Sequence, residues 1–112
     1  MSINDPILLT KKLISFRSVT PNDDGSLEYV SSQLKEIEFS CDIFSKNGVK
    51  NLFARWKPKN THKKTIAFNG HVDVVPPGDP KGWKYDAFSG EIKSGRIFGR
   101  GAVDMKSAVA AF

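Results

Sequence analysis

Thiols are almost missing from this chain. Cys41 stands alone among 112 residues, so an internal disulfide is excluded and any core must hold without cross-links. The lone thiol lies beside a predicted strand and reads as a small buried hydrophobe. Long apolar runs are missing too. No stretch approaches the roughly 18 consecutive apolar residues of a membrane helix, and no membrane partner is expected. The opening MSINDPILLTKK lacks a basic leader followed by an apolar core, which predicts no signal peptide and a reducing cytoplasm as the compartment.

Acidic residues are in deficit, 12 against 17 basic, for a net charge of +5. Such a balance invites a phosphate-bearing partner. The densest basic cluster is Lys57, Lys59, Lys63 and Lys64, around a Pro-Lys-Asn-Thr-His turn. No aromatic residues interleave with it to stack bases, so it reads as a solvated loop and no nucleic acid is expected as a partner. His62 in the same loop reads as exposed rather than as a ligand. The remaining composition, 39% hydrophobic and 26% charged, suits one small globular domain, and the length is too short for two.

Alternating helical and extended patterns follow. Asn4 or Asp5 before Pro6 predicts a helix start, because proline fits a first turn whose N–H groups have no intrahelical partner. Leu9, Leu13 and Phe16 then recur at helical spacing, giving a helix over 5–16. Residues 18–25, with Pro21 and Asp23-Asp24-Gly25, form a loop. Ser26 is the expected cap of a second helix with Leu27, Val30, Leu34 and Ile37 on its apolar face. Strands are predicted over 41–45 and 51–56, joined through Lys46-Asn47-Gly48 and able to pair antiparallel, with Leu52, Ala54 and Trp56 on one side and Phe53 on the other. Residues 65–69 form a third strand, apolar enough for burial on both faces. A hairpin of 90–93 and 96–99 turns at Ser94-Gly95. From Asp104 the chain reads as the first two turns of a helix. Both earlier helices need a sheet to cover, and the order of elements gives an α/β layered class.

Chemistry concentrates between Phe68 and Lys106. The strand over 65–69 leads directly into His71, and ligand sites in α/β sheets gather beyond the carboxyl ends of strands. His71 and Asp73 are two apart, so in extended backbone they point the same way. A carboxylate there can accept the N–H of the ring nitrogen that does not hold a metal, which fixes the tautomer and makes the metal-bound nitrogen more basic. Asp104 follows Gly99-Arg100-Gly101, where glycines permit a tight or positive-φ backbone, and a carboxylate at such a turn can span two metals. His-x-Asp by itself occurs in many folds, and a surface histidine beside a helix cap satisfies it equally. Trp83, Tyr85 and Phe88 read as packing for a loop over the sheet edge. Arg100 reads as a structural ion-pair partner, and Pro76-Pro77 as a stiffener of the loop after His71.

The longer pattern is more specific. Gly70-His71-Val72-Asp73-Val74-Val75-Pro76, Trp83, Phe88, Gly95, Gly99-Arg100-Gly101 and Asp104-Met105-Lys106 closely resemble the zinc aminoacylase and carboxypeptidase family M20. The stretch Val75-Pro76-Pro77-Gly78-Asp79, together with Ser18-Val19-Thr20-Pro21 and Asn51-Leu52-Phe53-Ala54, is most similar to members that remove a succinyl group. The resemblance implies that His71 binds one zinc, that Asp73 is the carboxylate behind it and a catalytic residue, and that Asp104 bridges two zincs. It also implies a cis peptide bond between Asp104 and Met105. Cobalt is implied as able to replace one zinc. The implied fold is the N-terminal part, residues 1–112, of a zinc-peptidase-like domain with a mixed sheet flanked by helices, its downstream catalytic half and dimerisation domain absent.

Two departures stand out: Ser107 where the family usually has glycine, and Ala87 where proline commonly precedes Phe88. Glu28, Glu36, Glu38 and Glu91 lie in no matching motif, so the family's general-base glutamate and remaining ligands are not here. The implied activity is release of succinate from an N-succinyl diamino-dicarboxylate on the lysine and cell-wall precursor route, by a homodimer when intact, with this chain inactive alone. The alternatives are another deacylase of the family, such as one acting on acetylornithine, and a non-catalytic remnant or a piece complemented by a separate downstream chain.

Overall fold

A computed structural model describes residues 5–57 and 64–112. The expected turn at Lys59, His62 and Lys63, and Asn4 as a helix start, lie outside the described residues. Helix α1 (Pro6–Ser15) begins where the Asp5-Pro6 signal puts it. The Asp5 carboxylate accepts from the amides of Ile7 at 2.8 Å and Leu8 at 3.3 Å, two donors that the first turn leaves without helical partners. Helix α2 (Ser26–Glu36) departs from expectation at its start. Its cap is Gly25, at φ 83° and ψ 5°, and Ser26 is the first helical residue. Gly25 turns the chain in a left-handed conformation, which brings the Ser26 amide onto the Asp23 carbonyl at 2.9 Å. The Ser26 side chain is then buried without a hydrogen-bond partner among the described residues.

The first hairpin joins β1 (Phe39–Lys46) and β2 (Val49–Trp56), with Lys46 opposite Val49. The two loop residues both take positive φ, Asn47 at 53° and Gly48 at 76°, the turn whose twist matches that of paired strands. Ser94 at 51° and Gly95 at 72° repeat the device between β3 (Glu91–Lys93) and β4 (Arg96–Phe98). Alternation along β2 holds for Leu52 and Ala54, which are half-buried while Phe53 is exposed. It does not hold for Trp56, expected on the same side as Leu52 and Ala54 but exposed at the strand's end. Cys41 falls inside β1 and is half-buried rather than buried, its sulfur 3.8 Å from the Ser31 carbonyl.

The α/β class expected from the sequence is borne out. What the described residues build of a sheet is two separate antiparallel hairpins and one parallel bridge, Val19 to Val74. Helix α2 covers the first hairpin, whereas α1 lies against the turn over Ala102–Lys106 and against α3 (Ser107–Ala111) instead of a sheet. The third predicted strand does not form. Residues 65–69 pair with no strand among the described residues, and Ile66 is 95% exposed. A strand is a shared structure, and its backbone groups need a neighbour whatever the side chains prefer. The last helix also starts later than expected, because Asp104 (φ −125°, ψ 96°) and Met105 (φ −140°, ψ 32°) are not helical. Ser107 takes ordinary right-handed angles, φ −67° and ψ −38°, which make no demand for glycine.

The buried apolar residues among those described are few: Leu13 and Ile14 of α1, then Val72, Val74, Ala87 and Phe88. Val19 and Trp83 close over the last three. This small core is what holds the segment after residue 70 against α1 and the loop that follows it.

Candidate metal centre

Residues 71–74 run extended, and their side chains alternate. Val72 and Val74 are 8% and 4% exposed and anchor the segment. His71 and Asp73, on the other side of the same backbone, therefore face outward together. Asp104 is brought in by the turn after Gly101. That glycine has φ 87°, and a Cβ on it would stand 2.7 Å from Val74 Cγ1, so the turn can seat against the anchored segment only without a side chain there. The Asp104–Met105 peptide is cis.

The three side chains meet. His71 Nε2 lies 3.0 Å from Asp104 Oδ1. On the other side of the ring, Nδ1 is 3.1 Å from the main-chain carbonyl of Asp73 and 3.4 Å from its Oδ1. They border an open cavity of about 280 Å³ that is also lined by Thr20, Val75 and Arg100. His71 and Asp73 are half-exposed, whereas the Asp104 side chain is 84% exposed. An imidazole between two carboxylates, with one carboxylate turned to open solvent, is a donor set suited to a divalent cation of borderline softness.

The other singled-out residues fall around this group. Phe88 is buried, Trp83 packs over it, and Tyr85 meets Phe98 edge-on at 5.1 Å. Trp83 also donates its indole N–H to the Pro77 carbonyl at 2.9 Å, which ties down the proline pair. The ion pair expected for Arg100 is absent among the described residues. Its guanidinium lies 5.3 Å from the centre of the Trp83 ring instead, a stack that needs no acid. Ala87 is buried and gives its carbonyl to the Arg100 amide at 2.7 Å, so this departure from proline sits in a well-packed position.

Two residues emerged only from the structure. Thr20 donates its hydroxyl to Asp73 Oδ2. Lys106 is wholly buried, and its ammonium donates to the carbonyls of Leu13 at 2.8 Å and Phe16 at 3.0 Å. Those carbonyls end α1, where a cation is favoured, so Lys106 clamps the Asp104 turn to that helix. Both residues stand inside quoted motifs, and nothing in spacing alone says what either touches. Replacing Lys106 by Met leaves two carbonyls unpaired and is expected to cost about 2–3 kcal/mol of stability, read from urea unfolding.

Burial also pulls the Lys106 pKa down from 10.5 to about 8, against the upward pull of the Asp24 and Asp73 charges. Across the interval from about 8 to 10.5 the unfolded chain keeps a proton that the folded chain has released. Stability should therefore rise with pH through that window. The urea midpoint of the unmodified chain is expected to climb there, and that of the Lys106→Met chain to climb less.

Comparison with known sequences agrees with this geometry. Residues 67–112, which contain His71, Asp73 and Asp104, match the sequence model of Peptidase family M20/M25/M40. That match agrees with the likeness to M20 enzymes drawn from the motifs. Over 112 aligned residues the chain is 49% identical to a succinyl-diaminopimelate desuccinylase of Wolbachia sp. subsp. Brugia malayi, with 96% of this chain and 27% of the relative covered. It is 50% identical over 108 residues to the Cereibacter sphaeroides desuccinylase, covering 96% and 28%. With the Dinoroseobacter shibae desuccinylase the identity is 46% over 110 residues, covering 98% and 29%. The chain thus spans little more than a quarter of the length of the curated relatives it matches.

Proposed function

We propose that this chain is the first portion of the metal-binding catalytic domain of a succinyl-diaminopimelate desuccinylase, and that it carries part of a two-zinc centre. The observation that carries this reading is the meeting of His71, Asp73 and Asp104 inside the segment that matches the M20 family. In this reading His71 would hold one zinc through Nε2, Asp73 would orient the ring from the Nδ1 side, and Asp104 would be the carboxylate shared between two ions. The donor set fits zinc. Two atoms each bound to one zinc at about 2.0–2.2 Å lie roughly 3–3.5 Å apart, and Nε2 and Oδ1 are 3.0 Å apart. The remaining Asp104 oxygen has no hydrogen bond among the described residues, which leaves it available to a second ion, zinc or cobalt.

Zinc, when bound, supplies an acidified water and a polarised amide carbonyl. What these residues do is hold, orient and leave access: Asp73 fixes the imidazole, and the open cavity beside Val75 and Arg100 admits a small N-succinyl amino-dicarboxylate. Among the described residues no group of three His, Cys, Asp or Glu holds a metal unaided. The further ligands, the general-base glutamate and the dimer contacts are assigned to sequence outside these 112 residues, in one longer chain or in a complementing one.

Zinc titration of the isolated chain tests the ligand assignment. Weak binding is expected, and His71→Ala and Asp104→Ala should each weaken it by at least about tenfold, with His62→Ala as the control that changes nothing. Binding indifferent to His71 and Asp104 would contradict the assignment.

A further inference from the structure

The loop between α1 and α2 does more than connect helices. It lies parallel to the segment that carries His71 and Asp73, with the Val74 amide on the Ser18 carbonyl at 2.9 Å and the Thr20 amide on the Val74 carbonyl at 3.0 Å. The Ser18 hydroxyl, wholly buried, donates to the Val72 carbonyl at 2.7 Å. Three bonds therefore set the position of the Thr20 backbone relative to Asp73. From that position the Thr20 hydroxyl donates to Asp73 Oδ2.

We propose that Thr20 is a positioning residue for the candidate metal centre, its hydroxyl holding the Asp73 carboxylate in the one rotamer that turns Oδ1 toward His71. The proposal rests on the function proposed above only for the consequence at the metal, not for the hold itself. A hydroxyl has one proton to give, and the Val74 carbonyl, at 3.5 Å, is the weaker of the two acceptors within its reach. Spending it on Oδ2 leaves Oδ1 free for the imidazole, 3.4 Å from Nδ1. The Asp73 side chain is 45% exposed, so without a tether its carboxylate is drawn into water and sweeps several rotamers. Nδ1 would then keep only the main-chain carbonyl at 3.1 Å. A ring held from one side only is a less directed ligand, and outer contacts of this kind are typically worth 10–100-fold in metal affinity.

The alternative is that Thr20 serves the loop alone, through its β-branched shape before Pro21. Three substitutions separate these roles. Thr20→Val keeps the shape and removes the hydroxyl, Thr20→Ala removes both, and Thr20→Ser keeps the hydroxyl and removes the methyl. The primary readout is the Asp73 χ1 angle in a metal-free, full-length desuccinylase that carries these 112 residues in place of its own aligned segment. Three-bond NMR couplings give the angle, with the Val72 and Val74 amide signals reporting that the loop pairing persists. One rotamer is expected for the unmodified chain and Thr20→Ser, and averaged couplings for Thr20→Val and Thr20→Ala.

Zinc affinity is the second readout. Thr20→Val should weaken it by about tenfold and Thr20→Ser should retain it. A single Asp73 rotamer in Thr20→Val, or averaging in Thr20→Ser equal to that in Thr20→Val, overturns the proposal whatever zinc does. Averaging confined to the two hydroxyl-free variants, in a chain that takes no zinc, upholds the hold on Asp73 while the metal reading above falls.

Discussion

Incubated with zinc and N-succinyl diaminopimelate, the isolated 112-residue chain is expected to release no measurable succinate. The reason lies in the donor count. A catalytic zinc site keeps three protein ligands and an open position, and the two ligands proposed above, His71 and Asp104, fall short of that for one ion and further short for two. Among the described residues no glutamate stands at the cavity to take a proton from water: its lining holds Thr20, His71, Asp73, Arg100 and Asp104 among polar side chains. A missing general base costs about 10²–10⁴ in rate, and missing preorganised donors at the developing oxyanion about 10²–10³ more. The combined deficit takes an ordinary turnover below detection. Succinate released by the purified chain, dependent on zinc and lost in His71→Ala, would show that these residues suffice.

The second large effect concerns folding. Alone, the chain is expected to bind a hydrophobic dye such as ANS, to melt broadly, and to associate as its concentration rises. Its radius of gyration is 15.2 Å, against about 13 Å for a compact domain of this length. Apolar surface lies open in several places: Ile66 at 95% exposure, Val103 at 91% and Phe53 at 61%, with Phe68 and Phe112 stacked on each other at 4.4 Å near the surface. Each hairpin is two-stranded and leaves both edges unpaired among the described residues, and such ribbons are marginal in water. Sedimentation and a thermal scan at two concentrations decide the matter. A sharp, reversible transition of a monomer would mean that the small core around Ile14, Val74 and Phe88 is enough.

Local chemistry made part of this structure legible in the sequence. Asp5-Pro6, Asn47-Gly48 and Ser94-Gly95 announce a cap and two tight turns through effects that span two to four residues, and all three are where the residues put them. The placement of His71 beside Asp73 follows from the period of an extended chain, and Val72 and Val74 confirm the alternation by their burial. Asp104 joined them through the motif, since 33 residues separate it from His71 and no periodicity reaches that far.

What escaped depends on partners distant in sequence. Residues 65–69 have the composition of an inner strand, yet composition cannot supply the neighbour a strand requires. Ser26 looks like a cap until Gly25 takes a left-handed conformation one residue earlier. A lysine reads as solvent-facing by default, and only the fold shows that Lys106 reaches carbonyls 90 and 93 residues away. Thr20 is similar: its bond to Asp73 spans 53 residues and exists because the Ser18–Thr20 loop lies alongside Val72 and Val74.

One measurement tests the central claim most directly. The 112 residues would replace their aligned counterpart in the Wolbachia desuccinylase that they match at 49% identity, and zinc-dependent succinate release by the chimera would be timed. The result expected is turnover within about tenfold of the parent enzyme, falling by about 10³ or more in Asp104→Ala, since on the proposed reading that change would remove a shared ligand. A folded, zinc-loaded chimera that leaves the succinyl amide intact, or one whose turnover is indifferent to His71 and Asp104, would contradict the claim that this chain carries part of a desuccinylase metal centre.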